Sequence, residues 1–321
     1  MKTQLLQILS CPKCQDELIF SAVSDEAEEV ENGYLSCANQ HRFPIKNSVP
    51  LFSKEEGYNK AFTYIHPHPF CGPLPTLEFR GTKTTIEELT QKEFAEQTGF
   101  NPRELRGKLV LDAGCAGGRF ISFLRKQGVG VIGVDLQSGR LQKCADRFKG
   151  KPASALIQAN LLELPFRENS FDFIFSLGVL HHTPNPKEAF KNLVRCLKKG
   201  GKIAIWVYPR QPRTYISDLL RPITTRLPLS LLLVLGFVIT TLYSPFLKIP
   251  RIGPRLVHIF YRIRIPWHEQ WKWRMHCFMD WYAPKYQFKF TNEEIRTWFE
   301  EAGLINIQSF AYGTSAQGTK V

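Results

Sequence analysis

The 321-residue chain opens without an apolar stretch of signal-peptide length and without a small-residue cleavage site, because MKTQLLQILSCPKC runs straight into a cysteine pair. A cytoplasmic protein with reduced thiols is the expectation. Internal repeats and low-complexity tracts are also missing, which sets aside solenoids and disordered tails. Acidic residues are scarce in one late segment: Gly201 to Phe290 holds 14 Lys or Arg against only Asp218, Glu269 and Asp280. Most of the formal +13 therefore sits there, where it attracts phosphate-bearing partners, either nucleic acid or an anionic membrane surface. Met1 to Lys60 has the opposite balance, with 9 acidic and 6 basic residues.

The length allows one full-sized core and a minor module. Three regions are expected: 1–52 with paired metal-type residues, 53–106 as an aromatic, Pro-containing connector with a helix around Thr85 to Thr98, and 107–321 with an insert at 210–288. From Lys108 to Pro209 apolar β-type runs alternate with helical stretches. KLVLDAGC, VGVIGVD, SALIQAN, SFDFIFSLG and GKIAIWVYP are the strands, with helices after Gly118, over Ser138 to Phe148 and from Pro186 to Lys198. Such alternation predicts a parallel sheet with crossover helices. After the insert, Thr291 and Glu294 form a capping box and Gly303 a helix stop, so the sheet resumes near the C-terminus.

Cys11-x2-Cys14 and Cys37-x3-His41 supply three thiolates and an imidazole, a donor set suited to tetrahedral structural zinc. The surrounding module is too small for a large core, which gives a metal a role in folding it. His66, His68 and Cys71 read as loop residues rather than a second site. LDAGCAGGRF places an acid at a strand end and glycines in the turn that opens a helix, and Asp135 ends the next strand about twenty residues on, where its carboxylate can accept ribose hydroxyls. A dinucleotide-binding enzyme would share both features.

The order of four motifs over Lys108 to Pro209 resembles class I S-adenosylmethionine-dependent methyltransferases. Asp112, Gly114 and Gly118 match the D-x-G-x-G-x-G loop, QANLLELPF the segment beside the adenine, and SFDFIFSLGVLHHTPNPKEAF the fourth-strand motif. The resemblance implies a Rossmann-like α/β sheet, mostly parallel with its last strand antiparallel, carrying a largely helical insert before the last helix and strands. It implies that Asp112, Gly114, Cys115, Ala116 and Gly118 hold the methionine end of S-adenosylmethionine, Asp135 and Leu136 the ribose, and Asn160 and Leu161 the adenine, with Ser176 at the fourth strand's end. Ala116 and Asn160 depart from the family's usual glycine and aspartate. Methyl transfer from a sulfonium is an in-line displacement that needs alignment more than a nucleophile. His181, after the fourth strand, is the candidate base for a hydroxyl or acidic-carbon acceptor, with a structural role for the paired histidines as the alternative.

CPKC with YLSCANQHRFPIKNSVPLF resembles the zinc ribbons of ribosomal-RNA guanine methyltransferases and of small methyltransferase activator subunits. FMDWYAPKYQFKFTNEEIRTWFEEAG is similar to type-11-like small-molecule methyltransferases of quinone, lipid and carbohydrate pathways. A small-molecule or lipid-like acceptor follows from the second resemblance and an RNA acceptor from the first, while a cofactor-binding scaffold without transferase activity is a third alternative. An RNA clamp needs positive charge where phosphates touch, and the ribbon is net acidic. The uncharged run Leu227 to Leu247 reads either as an internal lid over the acceptor pocket or as a membrane-surface element edged by Arg221, Arg226, Lys248, Arg251 and Arg255, which would place the protein peripherally on the inner face of the membrane.

Overall fold

The computed structural model describes Met1 and residues 3–21, 30–54, 57–65, 76–79, 82–148, 154–210, 215–243, 245, 249, 270–310 and 314–321. In chain order the first elements are β1 (Ile19–Ser21), β2 (Gly33–Ser36), β3 (Arg42–Lys46), β4 (Val49–Pro50), α1 (Lys60–Ile65), β5 (Thr76–Phe79), β6 (Thr82–Thr85), α2 (Ile86–Thr98), β7 (Val110–Ala113), α3 (Arg119–Lys126) and β8 (Val131–Asp135). They are followed by α4 (Ser138–Phe148), β9 (Ser154–Gln158), β10 (Phe171–Leu177), α5 (Pro186–Cys196), β11 (Leu197–Val207), α6 (Tyr215–Thr224), α7 (Leu229–Leu242), α8 (Trp271–Tyr282), α9 (Asn292–Glu301), β12 (Leu304–Phe310) and β13 (Thr314–Lys320). Two compact units result. Met1–Glu55, Thr90–Pro209 and Phe288–Val321 form the first, Glu56–Leu89 and Arg210–Gln287 the second.

The first unit is built on a seven-stranded sheet of order β12-β13-β11-β10-β7-β8-β9. β11, β10, β7, β8 and β9 pair in parallel, and β13 runs antiparallel to both β11 and β12. Period-two alternation divides the strand side chains between two cores. Leu111, Ile132, Ile174, Ile203 and Ile205 face Phe190 of α5 and Phe299 of α9, while Val110, Val131, Phe173, Phe175 and Ala204 face Phe94 of α2 and Phe120 of α3. Local signals start α5 and bound α9 where expected, while α5 ends at Cys196, two residues before the expected Lys198. The Asn185 side chain caps α5 by accepting the Glu188 N–H with Pro186 in the first turn, and Thr291 and Glu294 form a reciprocal capping box on α9. Gly303 stops α9 at φ +71°. β7 lies between β10 and β8, so the chain order reverses there and opens a crevice at the strands' carboxyl ends.

β1 to β4 form a separate antiparallel sheet in sequence order. Its arm continues onto the large sheet, with Leu51 bridging Gln158 in parallel and Leu9 bridging Phe166 antiparallel. The two parts share one apolar core, in which Leu35, Phe43 and Phe52 join Leu161, Leu164 and Phe166. That shared core is why the first 55 residues belong to the same unit as the sheet rather than forming one of their own.

In the second unit α7 packs on α8 through Leu232, Gly236 and Thr240, spaced four apart on one buried face. A Cβ on Gly236 would sit 2.5 Å from the Phe278 ring, so glycine is what lets the helices approach. The other side of α7 exposes Leu231, Val234, Leu235, Phe237, Val238 and Leu242. At 14 residues α7 is about 21 Å long, short of the roughly 30 Å hydrocarbon layer. Among the described residues no helix is long and apolar enough to cross a membrane. Arg221, expected at the edge of a surface element, is instead buried and donates to the Trp281 and Pro284 carbonyls, because the end of α8 leaves those acceptors without helical partners. Arg226 is exposed. Lys248, Arg251, Arg255, His66, His68 and Cys71 lie outside the described residues.

Candidate active site and metal centre

The turn between β7 and α3 takes left-handed backbone at Gly114 (φ +94°), Ala116 (φ +50°) and Gly118 (φ +74°). A Cβ on Gly114 would lie 2.3 Å from a Val179 methyl, and one on Gly118 2.5 Å from the Cys144 sulfur, so neighbours as well as dihedrals require glycine there. Ala116 has no such excuse. A left-handed L-residue costs about 1–2 kcal/mol, but its N–H donates to Asp135 Oδ2 at 2.8 Å, a charge-assisted bond that offsets the strain. Cys115 buries its sulfur beneath the turn, where burial pushes the thiol well above its ordinary range, so only its backbone belongs to the loop.

Asp112 is buried at the end of β7, and its Oδ2 has no hydrogen-bond partner among the described residues. Burial, reinforced by the Asp135 charge and opposed by Arg119, holds its carboxyl well above the usual carboxylate range. Asp135, at the end of β8, accepts the Gln137 N–H at Oδ1 (2.9 Å) in addition to Ala116. Its pKa is also raised, by burial, against the pull of Arg140 and these N–H groups. Leu136 follows it, partly buried. Asn160 accepts the Leu162 N–H, and Asn192 of α5 donates to the Leu161 and Leu162 carbonyls, which pins the segment after β9 to the helix layer. Ser176 points its hydroxyl at the Ala113 carbonyl (2.8 Å) and is fully buried, so it ties β10 to β7 beneath the crevice.

His181 is fully buried, and neither ring nitrogen has a partner among the described residues. Its ring stacks on Tyr208 at 3.9 Å and lies 4.2 Å from the His182 ring. Burial and His182 push its pKa well below the ordinary value, so the imidazole is neutral at pH 7. A neutral imidazole can accept a proton, although Tyr208 covers this one. Trp206 and Tyr208, 5.5 Å apart and both partly buried, form an aromatic wall beside it at the carboxyl end of β11. Sequence reasoning passed over these two. The available signal was their two-residue spacing at the end of GKIAIWVYP, which puts both on one face.

The four metal-type residues meet where the segment before β1 meets the turn between β2 and β3. Cys11 and Cys14 flank a turn closed by Gln15 N–H to Cys11 O, and Cys37 begins a second turn closed by Gln40 N–H to Cys37 O. Their donor atoms lie within 4.8 Å of one another: Cys11 to His41 Nδ1 3.4 Å, Cys14 to Cys37 3.6 Å, Cys14 to His41 3.6 Å and Cys37 to His41 3.4 Å. A tetrahedron of about 2.3 Å Zn–S bonds has sulfur–sulfur edges of about 3.8 Å. The arrangement could hold one such ion, and Cys11 and Cys37 are buried.

Residues 111–205 match the family model described as a methyltransferase domain. Phosphoethanolamine N-methyltransferase 1 of Arabidopsis thaliana is 33% identical over 127 residues, which are 39% of this chain and 25% of that protein. A ubiquinone biosynthesis O-methyltransferase of Coxiella burnetii is 30% identical over 113 residues, 35% of this chain and 48% of that one. The chain thus spans a quarter to a half of the length of these curated relatives. A solved SAM-dependent methyltransferase of Aquifex aeolicus is similar at TM-score 0.39 and 15% identity, covering 73% of this chain and 94% of that one. The sheet, with five parallel strands and an antiparallel pair at one edge, is the Rossmann-like methyltransferase fold.

Proposed function

We propose that the protein transfers a methyl group from S-adenosylmethionine to a small-molecule or lipid-like acceptor, with one structural zinc held by Cys11, Cys14, Cys37 and His41. The observation that carries the reading is the buried Asp112 oxygen that has no partner among the described residues, set across the glycine turn from Asp135. Burial favours the protonated form of this carboxyl, and the methionine ammonium of the cofactor would compensate its ionised form. Asp135 offers acceptor capacity to the ribose hydroxyls, and Asn160 and Leu161 flank the adenine. When bound, the cofactor provides a methyl group already activated on a sulfonium. The chain's residues then need only align the acceptor and exclude water, for which Trp206 and Tyr208 provide an apolar wall. His181 becomes a proton acceptor once Tyr208 moves aside and relieves the burial that opposes its protonation. Phosphoethanolamine in the name of one relative and ubiquinone biosynthesis in that of the other support that class. The net acidity of the N-terminal segment disfavours RNA.

Peripheral attachment to the cytoplasmic face of a membrane belongs to the same reading. Leu231, Leu235, Val238 and Leu242 form one exposed stripe along the uncharged α7, and Leu219, Leu220 and Ile223 of α6 are exposed as well. Radiolabelled methyl transfer to total lipid, metabolite and RNA extracts tests the acceptor class. Label confined to RNA would overturn it, and failure of calorimetry to detect S-adenosylhomocysteine binding would overturn the cofactor.

A further inference from the structure

Gln158, the last residue of β9, is buried and both ends of its side-chain amide are hydrogen-bonded. Its Oε1 accepts the Ser53 N–H at 3.1 Å, and its Nε2 donates to the Leu136 carbonyl at 3.0 Å and to Ser53 Oγ at 3.3 Å. Its own carbonyl accepts the Phe52 N–H at 2.8 Å. A side-chain amide has two orientations, and a backbone N–H can only donate. The Ser53 N–H therefore selects the orientation in which Nε2 faces Leu136.

The Leu136 carbonyl and the Gln137 N–H belong to one peptide group, which is planar and trans, so fixing one fixes the direction of the other. That N–H is the donor to Asp135 Oδ1. From this chain of contacts we infer that Gln158 is a positioning residue for the adenosine half of the cofactor. It orients the Leu136–Gln137 peptide, which orients the Asp135 carboxylate, and the N-terminal arm at Ser53 holds it in the required orientation. The inference rests on the cofactor reading above, and it assigns to the N-terminal sheet a part in ligand affinity as well as in folding.

A thermodynamic cycle on the full-length protein tests it, with S-adenosylhomocysteine and adenosine as titrants in a calorimeter at a temperature well below each variant's unfolding midpoint. Gln158→Glu places an oxygen against the Leu136 carbonyl and should weaken both titrants about tenfold. Gln158→Met, neutral and of similar volume, should do the same, and it serves if the acid does not fold. Because Gln158 acts through Asp135, Asp135→Asn should cost far less in either variant than in the wild type, whereas a merely structural role predicts that the two losses multiply. Affinities within twofold of wild type, or multiplicative losses, overturn the inference. A wild-type protein that binds neither titrant overturns the cofactor reading itself, and is thereby told apart from a failure confined to the Gln158 variants.

Discussion

Substituting Gly114 by alanine tests whether the turn between β7 and α3 is held by its neighbours as well as by its dihedrals. The new Cβ would lie 2.3, 2.5 and 2.8 Å from the Cγ2, Cγ1 and Cβ atoms of Val179, well inside contact distance. Val179 is β-branched and cannot swing both methyls away by one rotamer change. Overpacking of this kind costs about 1–3 kcal/mol, and an L-residue at φ +94° adds about 1–2 kcal/mol. The expected destabilisation is therefore about 2–5 kcal/mol, read from urea unfolding followed by circular dichroism. S-adenosylhomocysteine affinity should fall at the same time, since the turn and the Val179 segment border the crevice. Val179→Ala removes the two nearest atoms but leaves the Cβ at 2.8 Å and the dihedral unchanged. The double variant should therefore recover only part of the loss, with a coupling of about 1–2 kcal/mol. Gly114→Ala within about 0.5 kcal/mol of wild type, or strict additivity with Val179→Ala, would refute the packing argument.

Three other outcomes follow from the same geometry. Metal analysis should find one zinc per chain, lost in Cys14→Ser; since the N-terminal sheet shares a core with Leu161 and Leu164, that variant should also bind S-adenosylhomocysteine more weakly, and unchanged metal content would sink the assignment. The raised pKa of Asp112 means that its protonated form favours the unliganded fold, a contribution present below the ordinary carboxylate value and lost as pH rises through the raised one. A bound ammonium favours the carboxylate, so cofactor affinity should climb with pH across that window with proton release on binding; Asp112→Asn should remove the slope in calorimetry, and a slope that survived would exclude Asp112 as its source. On α7, Leu235→Asp with Leu242→Asp removes two apolar side chains worth about 1.5–3 kcal/mol each when buried, so binding to vesicles containing anionic lipid should drop at least tenfold with S-adenosylhomocysteine binding intact. Sedimentation with vesicles decides this, and a wild-type protein that stays in solution would rule out the membrane reading.

The repeating signals were legible in the sequence because they are local. Apolar β-type runs alternating with helical stretches placed the strands from β7 to β11, and Thr291, Glu294 and Gly303 marked both ends of α9 because caps act within a turn. The spacing of Cys11 with Cys14 and of Cys37 with His41 made each donor pair legible, since two-residue and three-residue gaps bring side chains together locally, whereas the meeting of the two pairs needed the β1–β3 sheet. Asp112 and Asp135 were legible as acids at strand ends.

Other features required the tertiary structure, because they join residues far apart in the chain. The sequence marks residues 1–52 as a small module but says nothing about which strand its arm would meet; pairing of Leu51 with Gln158 and a core shared with Phe166 answered that. His181 was readable as a histidine after the fourth strand, whereas its burial under Tyr208 depends on β11 lying beside β10. Arg221 read as a surface charge because its acceptors, the carbonyls of Trp281 and Pro284, come from the end of α8 and the residues just after it, sixty residues on. Periodicity and capping follow from the geometry of a few adjacent residues, so the sequence by itself determines them. Burial, unpartnered oxygens and the direction of a single amide depend on which distant segments close around them, and only the folded chain decides those.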